Sequence, residues 1–507
     1  MLRFKLLFLQ SLTLVFLFAL ANIAPAQTPQ TTDAPLSTQV TGKNPVIIIP
    51  GITGSTMVNQ STGKQVWFGV RRDKDDDLRL PITSANLARN RDNLVPKDII
   101  REVKLPGILP DIEVYQGVID ALKTRGYTEA DWNKPVANDS FYIFAYDWRR
   151  DNVESARVLM QQMERVKRAL NKPDLKFDII AHSMGGLVAR YAAMYGTADL
   201  APVGSPRPTW AGARNINKIM MFGTPNEGSF GTFQALINGY SVVGERNLPF
   251  IDDLSPADAL SIPSLFQLMP HQSTARFLDE NLKPLRIDLY DPKTWRTYNW
   301  GAINDLKFLS KLKDAPRLAL ANKEIKPEKL GKDANADDRL LANTTYAQVQ
   351  AYFANVLSRA RRFQIALDAP VKSVPVELYI YGGNCEPTLD AIILVRDQKE
   401  NRWITVTDSR DIKTASGREI KKDEVKAAMF AVGDGRVTKK SLLAESAASK
   451  GGTSEMVKTV FPVTSSFLSC GLHTKLFLEK PIQDSFMSAL VVEKKQQPKV
   501  EAKTGNK

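Results

Sequence analysis

The stretch Phe177-Asp178-Ile179-Ile180-Ala181-His182-Ser183-Met184-Gly185-Gly186-Leu187-Val188-Ala189-Arg190-Tyr191 constrains this chain more than any other. The residues up to Ala181 read as a buried strand. The chain must then turn sharply through Ser183, because from Gly186 to Tyr195 it reads as a helix. Leu187, Val188, Tyr191, Ala192 and Tyr195 share one apolar face of it, and Gly196 follows as a C-terminal stop. A serine on a strand-to-helix turn, with small residues two before and two after, is a nucleophile elbow. Small neighbours are needed because strand and helix approach closely there. The usual pattern is G-x-S-x-G; here Ala181 stands at the first glycine. Ser183 is thereby lifted to the top of a sheet, at the positive end of a helix.

The rest of the chain supplies a sheet for that serine to stand on. Val46-Ile47-Ile48-Ile49 is a short continuous apolar run, as expected of a central parallel strand, and it ends in the glycine-rich loop Pro50-Gly51-Ile52-Thr53-Gly54-Ser55. Residues 60–107 lack strong periodicity and carry the charged run Arg71 to Asp77; they read as a surface insertion over the site, not as core. A helix is expected from Tyr115 to Arg125, a strand from Phe141 to Ala145, an amphipathic helix from Val153 to Leu170 and a strand from Ile216 to Phe222. From Phe230 to Ala369 strand signals stop, and a helix is expected from Tyr346 to Leu367; residues 230–369 read as a cap. Strand signals return at Val376 to Tyr381, in a small hairpin around Trp403 to Val406, and at Val457 to Phe461. A last helix runs from Ile482 to Leu490. Strands alternating with helices argue a mostly parallel α/β sheet. With the elbow, this predicts an α/β-hydrolase fold: a mostly parallel sheet with flanking helices and an inserted cap or lid. The core would be residues 45–229 and 370–490.

The ends of the chain read differently. Residues 1–26 look like a secretory signal: Arg3 and Lys5, then a mostly apolar run from Leu6 to Ala21, then Ala24-Pro25-Ala26 as a cleavage site. The protein is therefore expected to be secreted or periplasmic, with an uncleaved anchor left open. No cysteine near the cleavage site would carry a lipoprotein anchor. Residues 27–44 are a flexible lead-in, and 491–507 a disordered basic tail. The formal net charge is +13, but the basic residues are spread along the chain and no nucleic-acid-binding motif accompanies them. A diffuse positive field would suit an anionic membrane surface, but plain solubility is the preferred reading. In an exported chain the two cysteines, Cys385 and Cys470, suggest one disulfide; two buried thiols are the alternative.

A serine hydroxyl is a poor nucleophile until a base takes its proton, and this chain has three histidines. His182 adjoins Ser183 and must point away from it. His271 lies in the cap region. His473 comes after the last strand signal, where the order Ser…Asp…His puts the base. Asp434, in Gly433-Asp434-Gly435-Arg436-Val437, is the choice for the acid that orients it, with Asp390 and Glu386 as rivals. The loop Pro50–Ser55 is where a second oxyanion donor belongs, the first being the Met184 amide. Three histidines and two cysteines offer no zinc constellation, and no cofactor is implied.

Taken together, Ile47–Ser55, Tyr146-Asp147-Trp148-Arg149, Ala181–Gly186, Pro263-Ser264-Leu265-Phe266-Gln267-Leu268-Met269-Pro270 and Gly433–Val437 with Ser441-Leu442 resemble the lecithin:cholesterol acyltransferase family. That family also includes lysosomal phospholipase A2 and phospholipid:diacylglycerol acyltransferase. The blocks span residues 45–475 in order. The resemblance implies Ser183 as nucleophile, Asp434 as acid, His473 as base, and Ile52 and Met184 as oxyanion donors. It implies a phospholipid or other lipid ester as substrate, met at a membrane surface, and it implies no nucleic-acid partner. The Trp67 region would resemble the family's membrane-binding and lid segments. Arg436 stands where many members carry threonine, and the cap matches only loosely, so acceptor and headgroup preference do not carry over. A lipase or carboxylesterase without transferase activity, and a lipid-binding hydrolase fold without turnover, remain the alternatives.

Overall fold

The computed structural model describes residues 43–491, apart from 69–77, 104–111, 203–205, 241–252, 330, 332–333, 370, 372, 398, 446, 451–452 and 457–462. The signal sequence, most of the lead-in, the charged run to Asp77, the strand expected at Val457–Phe461 and the tail from residue 492 lie outside the described residues.

Among the described residues seven strands form the central sheet: β1 (Val46–Ile49), β2 (Thr128–Glu129), β3 (Ser140–Ile143), β4 (Phe177–His182), β5 (Ile216–Phe222), β6 (Glu377–Gly383) and β7 (Ser465–Ser469). They lie in the order β7-β6-β5-β4-β1-β3-β2, and every pairing is parallel. The side chains of β1, β4 and β5 alternate between two apolar layers. Ile47, Ile49, Ile179, Ala181, Ile219 and Met221 pack with α2 (Asn152–Ala169) and α3 (Met184–Tyr195). Val46, Ile48, Ile180, Met220 and Phe222 pack with α1 (Gln116–Thr124) and the C-terminal helix Lys480–Val491. Both faces are covered, which is why β1 is apolar throughout and the centres of β4 and β5 are apolar on both faces. The elbow, the order of the strands and the cap make this an α/β-hydrolase fold.

Register decides where the site must be. Ile49 pairs with Ala181, Phe222 with His182 and Tyr381, and Gly383 with Ser469. The C-terminal ends of β1, β4, β5, β6 and β7 therefore lie along one edge, and the loops leaving them meet there.

Two sequence expectations are corrected. The described residues of the stretch 60–107 are not a skin over the core. Gln65–Trp67, Ser55–Asn59 and Leu94–Ile99 form an antiparallel sheet, and Val66, Trp67, Leu78 and Ile82 join the main core. Arg149, wholly buried, clamps it: its guanidinium donates to both oxygens of Asp92, to both of Asp147 and to the Leu78 carbonyl. The cap is also larger than residues 230–369. Its strands Phe277–Leu278 and Pro284–Leu285 share a four-stranded sheet with Ile392–Asp397 and Arg402–Val406. A hairpin from the second core segment thus completes the cap. The cap's long helix, α4 (Tyr346–Leu367), starts at a capping box between Thr345 and Gln348. Phe233, Phe266, Phe277, Trp295, Trp300 and Phe353 form an edge-to-face and stacked aromatic cluster inside it. Among the described residues no helix is long and apolar enough to cross a membrane.

Candidate active site

Ser183 caps α3 with φ 51° and ψ −122°, a conformation costly for a residue with a Cβ. The helix begins at Met184, two residues earlier than the periodicity indicates, because Gly185 and Gly186 lie inside its first turn. The strain is held from both sides. The Ser183 N–H donates to the Phe222 carbonyl at 2.7 Å, locking the turn to β5. On the other side a Cβ added at Gly185 would stand 2.6 Å from the Pro50 carbonyl oxygen. Only glycine lets the elbow sit this close to the loop after β1. That contact brings Ile52 and Met184 to neighbouring segments. Met184 opens the helix, where the first N–H groups have no carbonyl one turn back. Ile52 lies in the turn closed by the Gly54 N–H on the Gly51 carbonyl, 3.1 Å.

His473 opens a short 3-10 helix shortly after β7. Asp434 follows the strand Phe430–Gly433, which pairs with Glu386–Leu389. The two side chains meet: His473 Nδ1 lies 2.8 Å from Asp434 Oδ2. Asp434 is 1% exposed, and its other oxygen accepts the N–H groups of Arg436 and Val437 at 2.9 and 2.7 Å. The His473 N–H closes the pair by donating to the Asp434 carbonyl, 2.9 Å. A carboxylate on Nδ1 holds the proton there and leaves Nε2 with its lone pair, the tautomer a base requires. Gly223, after β5, is the floor beneath the ring; a Cβ on it would come within 2.8 Å of His473 Nδ1.

The rivals are placed elsewhere. Asp390 pairs with Arg276. Glu386 lends its backbone to the strand beside Asp434. His271 Nδ1 pairs with Asp368 Oδ2 at 2.7 Å, after α4. His182 Nδ1 meets the Tyr115 hydroxyl at 2.9 Å, and its Nε2 meets the His473 carbonyl at 3.0 Å. Burial first, and the neighbouring His473 second, push the His182 pKa down to about 3. Cys385 and Cys470 are joined in a disulfide, tying the loop after β6 to the loop that carries His473.

Trp67 is 1% exposed, and its indole N–H donates to the Thr53 carbonyl at 2.8 Å. It buttresses the loop after β1 and does not face lipid, which corrects the lid expectation for its side chain. The Tyr146-Asp147-Trp148-Arg149 block does related work. Tyr146 O–H donates to the Pro50 carbonyl at 3.0 Å, and Trp148 N–H to the Ser55 carbonyl at 3.1 Å. Sequence reasoning missed Tyr115, which accepts the Gly51 N–H at 2.8 Å. It opens an ordinary amphipathic helix, and no local signal sets it apart.

The family model for lecithin:cholesterol acyltransferase matches residues 104–446, more than half of the chain. The chain belongs to the lecithin:cholesterol acyltransferase family. The match takes in Ser183 and Asp434; the loop Pro50–Ser55 precedes it and His473 follows it. Membership places this protein among enzymes that act on lipid esters. No curated protein matches the sequence. Solved structures similar to it include the Tle4–Tli4 complex, at 14% identity over 89% of this chain and 98% of that one, TM-score 0.49. Another is the mature lipase BlEst2 of Bacillus licheniformis, at 10% identity over 89% and 93%, TM-score 0.30. A third is phospholipase PlaB of Legionella pneumophila, at 15% identity over 45% and 32%, TM-score 0.21.

Proposed function

We propose that this member of the lecithin:cholesterol acyltransferase family is an exported serine acyltransferase and phospholipase A. It works at a membrane surface through Ser183, Asp434 and His473. The observation that carries the reading is the buried Asp434–His473 pair, 2.8 Å apart, on the same sheet edge as a serine in a strained elbow. In this reading His473 Nε2 takes the Ser183 proton as Oγ attacks the ester carbonyl. The amides of Met184 and Ile52 receive the charge that develops on the carbonyl oxygen. His473 then gives its proton to the departing alcohol, and an acyl-serine remains. Water or a lipid alcohol, deprotonated by His473, takes the acyl group in the second step. Export is supported by the signal-like residues 1–26 and by the Cys385–Cys470 bridge, since disulfides persist in oxidising compartments.

Hydrolysis and transfer share the acyl-enzyme, so the acceptor decides between them. The test uses phospholipid vesicles with labelled acyl chains, with and without a sterol, diacylglycerol or fatty alcohol. We expect labelled fatty acid without acceptor and a labelled ester when one is present. Fatty acid alone across all acceptors leaves a phospholipase or lipase. Cleavage of short-chain esters with no gain from an interface removes the lipid half as well. Ser183→Ala and His473→Ala should each lower turnover by at least about a thousandfold, and the double variant little further, because such groups act as a unit.

A further inference from the structure

Tyr115 is buried at the start of α1, 64 residues from Gly51 and 67 from His182 in the chain. In the fold its phenol stands between the loop after β1 and the elbow. The direction of every hydrogen bond there is fixed by chemistry. The His473 carbonyl only accepts, so the His182 nitrogen facing it at 3.0 Å, Nε2, carries the proton. Neutral imidazole then offers a lone pair at Nδ1, and the Tyr115 O–H, 2.9 Å away, must donate to it. The Tyr115 oxygen in turn accepts the Gly51 N–H at 2.8 Å. One unbroken buried chain therefore runs from Gly51 through Tyr115 and His182 to the backbone of His473. Phe477 packs on both rings, with centroids 5.9 Å from Tyr115 and 5.6 Å from His182.

Each end of this chain is a working part. Gly51 adjoins Ile52 and lies so close to the nucleophile that a Cβ on it would stand 2.9 Å from the Ser183 Cβ. The other end is the main chain of the base. We propose that Tyr115 and His182 are positioning residues, a buried strut that sets the oxyanion loop, the elbow and the base loop at fixed separations. This rests on the reading of Ser183 and His473 as nucleophile and base. It explains why the residue before the nucleophile is a histidine: the place needs one acceptor and one donor on a rigid ring. It also agrees with the neutrality that burial imposes on that ring. A hydroxyl donating to Nδ1 opposes a second proton on His182, which would otherwise repel the imidazolium forming on His473, its ring centroid 4.8 Å away.

The test is kinetic, with active sites counted by stoichiometric labelling with a fluorophosphonate serine probe. In Tyr115→Phe and His182→Leu, kcat per labelled site should fall about 10–100-fold while KM stays within about threefold, since the groups that bind substrate are untouched. His182→Gln keeps an N–H near the position of Nε2 and should recover most of the rate lost in His182→Leu. Should Tyr115→Phe yield no labelled sites, the two His182 variants decide. Wild-type kcat per labelled site in Tyr115→Phe and His182→Leu overturns the strut, and so does an equal loss in His182→Gln and His182→Leu. Ser183→Ala separates the two failures. Turnover surviving in it sinks the triad reading and the strut together; turnover lost in it but intact in the Tyr115 and His182 variants sinks the strut alone.

Discussion

Only one ring nitrogen of His473 is left for chemistry, because Nδ1 is committed to Asp434. The other histidine at the elbow does not compete for protons, since burial holds it neutral down to about pH 3. This fixes the shape of the pH profile. A base works deprotonated, so log kcat/KM should fall as pH drops, with a limiting slope of about one proton. A slope of two in a steady-state profile would mean that a second group titrates with the base. Asp434→Asn is the complementary test. It leaves the shape but puts an amide where Nδ1–H needs an acceptor, favouring the wrong tautomer. We expect a loss of about 10³–10⁴-fold in kcat. If Asp390→Asn is the damaging change instead, the acid is misassigned. Arg276, which holds Asp390 in the fold, makes that the unexpected outcome.

At the level of the elements, β4 carries a carboxylate that the fold does not favour in its charged form. Asp178 is paired across the sheet with Lys218 on β5 and accepts from Asn217 at 2.7 Å. Burial nevertheless pushes its pKa up to about 6. The unfolded chain releases this proton near pH 4, so between about pH 4 and 6 the folded state holds more protons than the unfolded one. This group's contribution to stability therefore falls as pH rises through that window. Asp178→Asn removes the slope. Denaturant unfolding of variant and wild type should show their difference moving in the variant's favour, by roughly 3 kcal/mol at most, between pH 4 and 7. A difference that stays constant with pH would show that Asp178 ionises in the fold as it does in the unfolded chain. The elements themselves were legible where their pattern is local. β1, β4, β5 and α4 follow from apolar runs and 3.6-residue periodicity. The small strands at Gln65–Trp67 and Phe277–Leu278 were not, because two or three residues carry no period and are strands only through distant partners.

On the scale of the whole molecule, the Cys385–Cys470 bridge closes 85 residues of chain, and the Asp434 loop lies within them. In the chain-entropy model such a closure stabilises by about 4–5 kcal/mol, less any strain. Cys385→Ser with Cys470→Ser should lower the unfolding free energy by an amount of that order, measured by denaturant titration. Non-reducing mass analysis of exported wild type should find the bridged mass and no alkylatable thiol. The cap's aromatic residues are committed on the same scale: Phe266, Trp295 and Trp300 are packed against one another in the cap's own core. A bound acyl chain has to be met by other surfaces.

The sequence by itself determined the strand, the turn through Ser183 and the helix after it, because side-chain period and residue size act over neighbouring positions. It also singled out His473, since chain order in this fold leaves few histidines to choose from, and it put Asp434, on a glycine-flanked turn, ahead of Asp390 and Glu386. Which groups hold those residues in place was decided by the tertiary structure alone. Tyr115 reaches Gly51 across 64 residues, Arg149 reaches Asp92 across 57, and His182 reaches the His473 carbonyl across 291. A hydrogen bond of that kind depends on where the sheet and loops bring two buried polar atoms, and no local pattern in either partner records it. The burial of Trp67 has the same origin: a three-residue strand carries no period to show which way its ring points, and the carbonyl that takes its N–H belongs to the loop after β1.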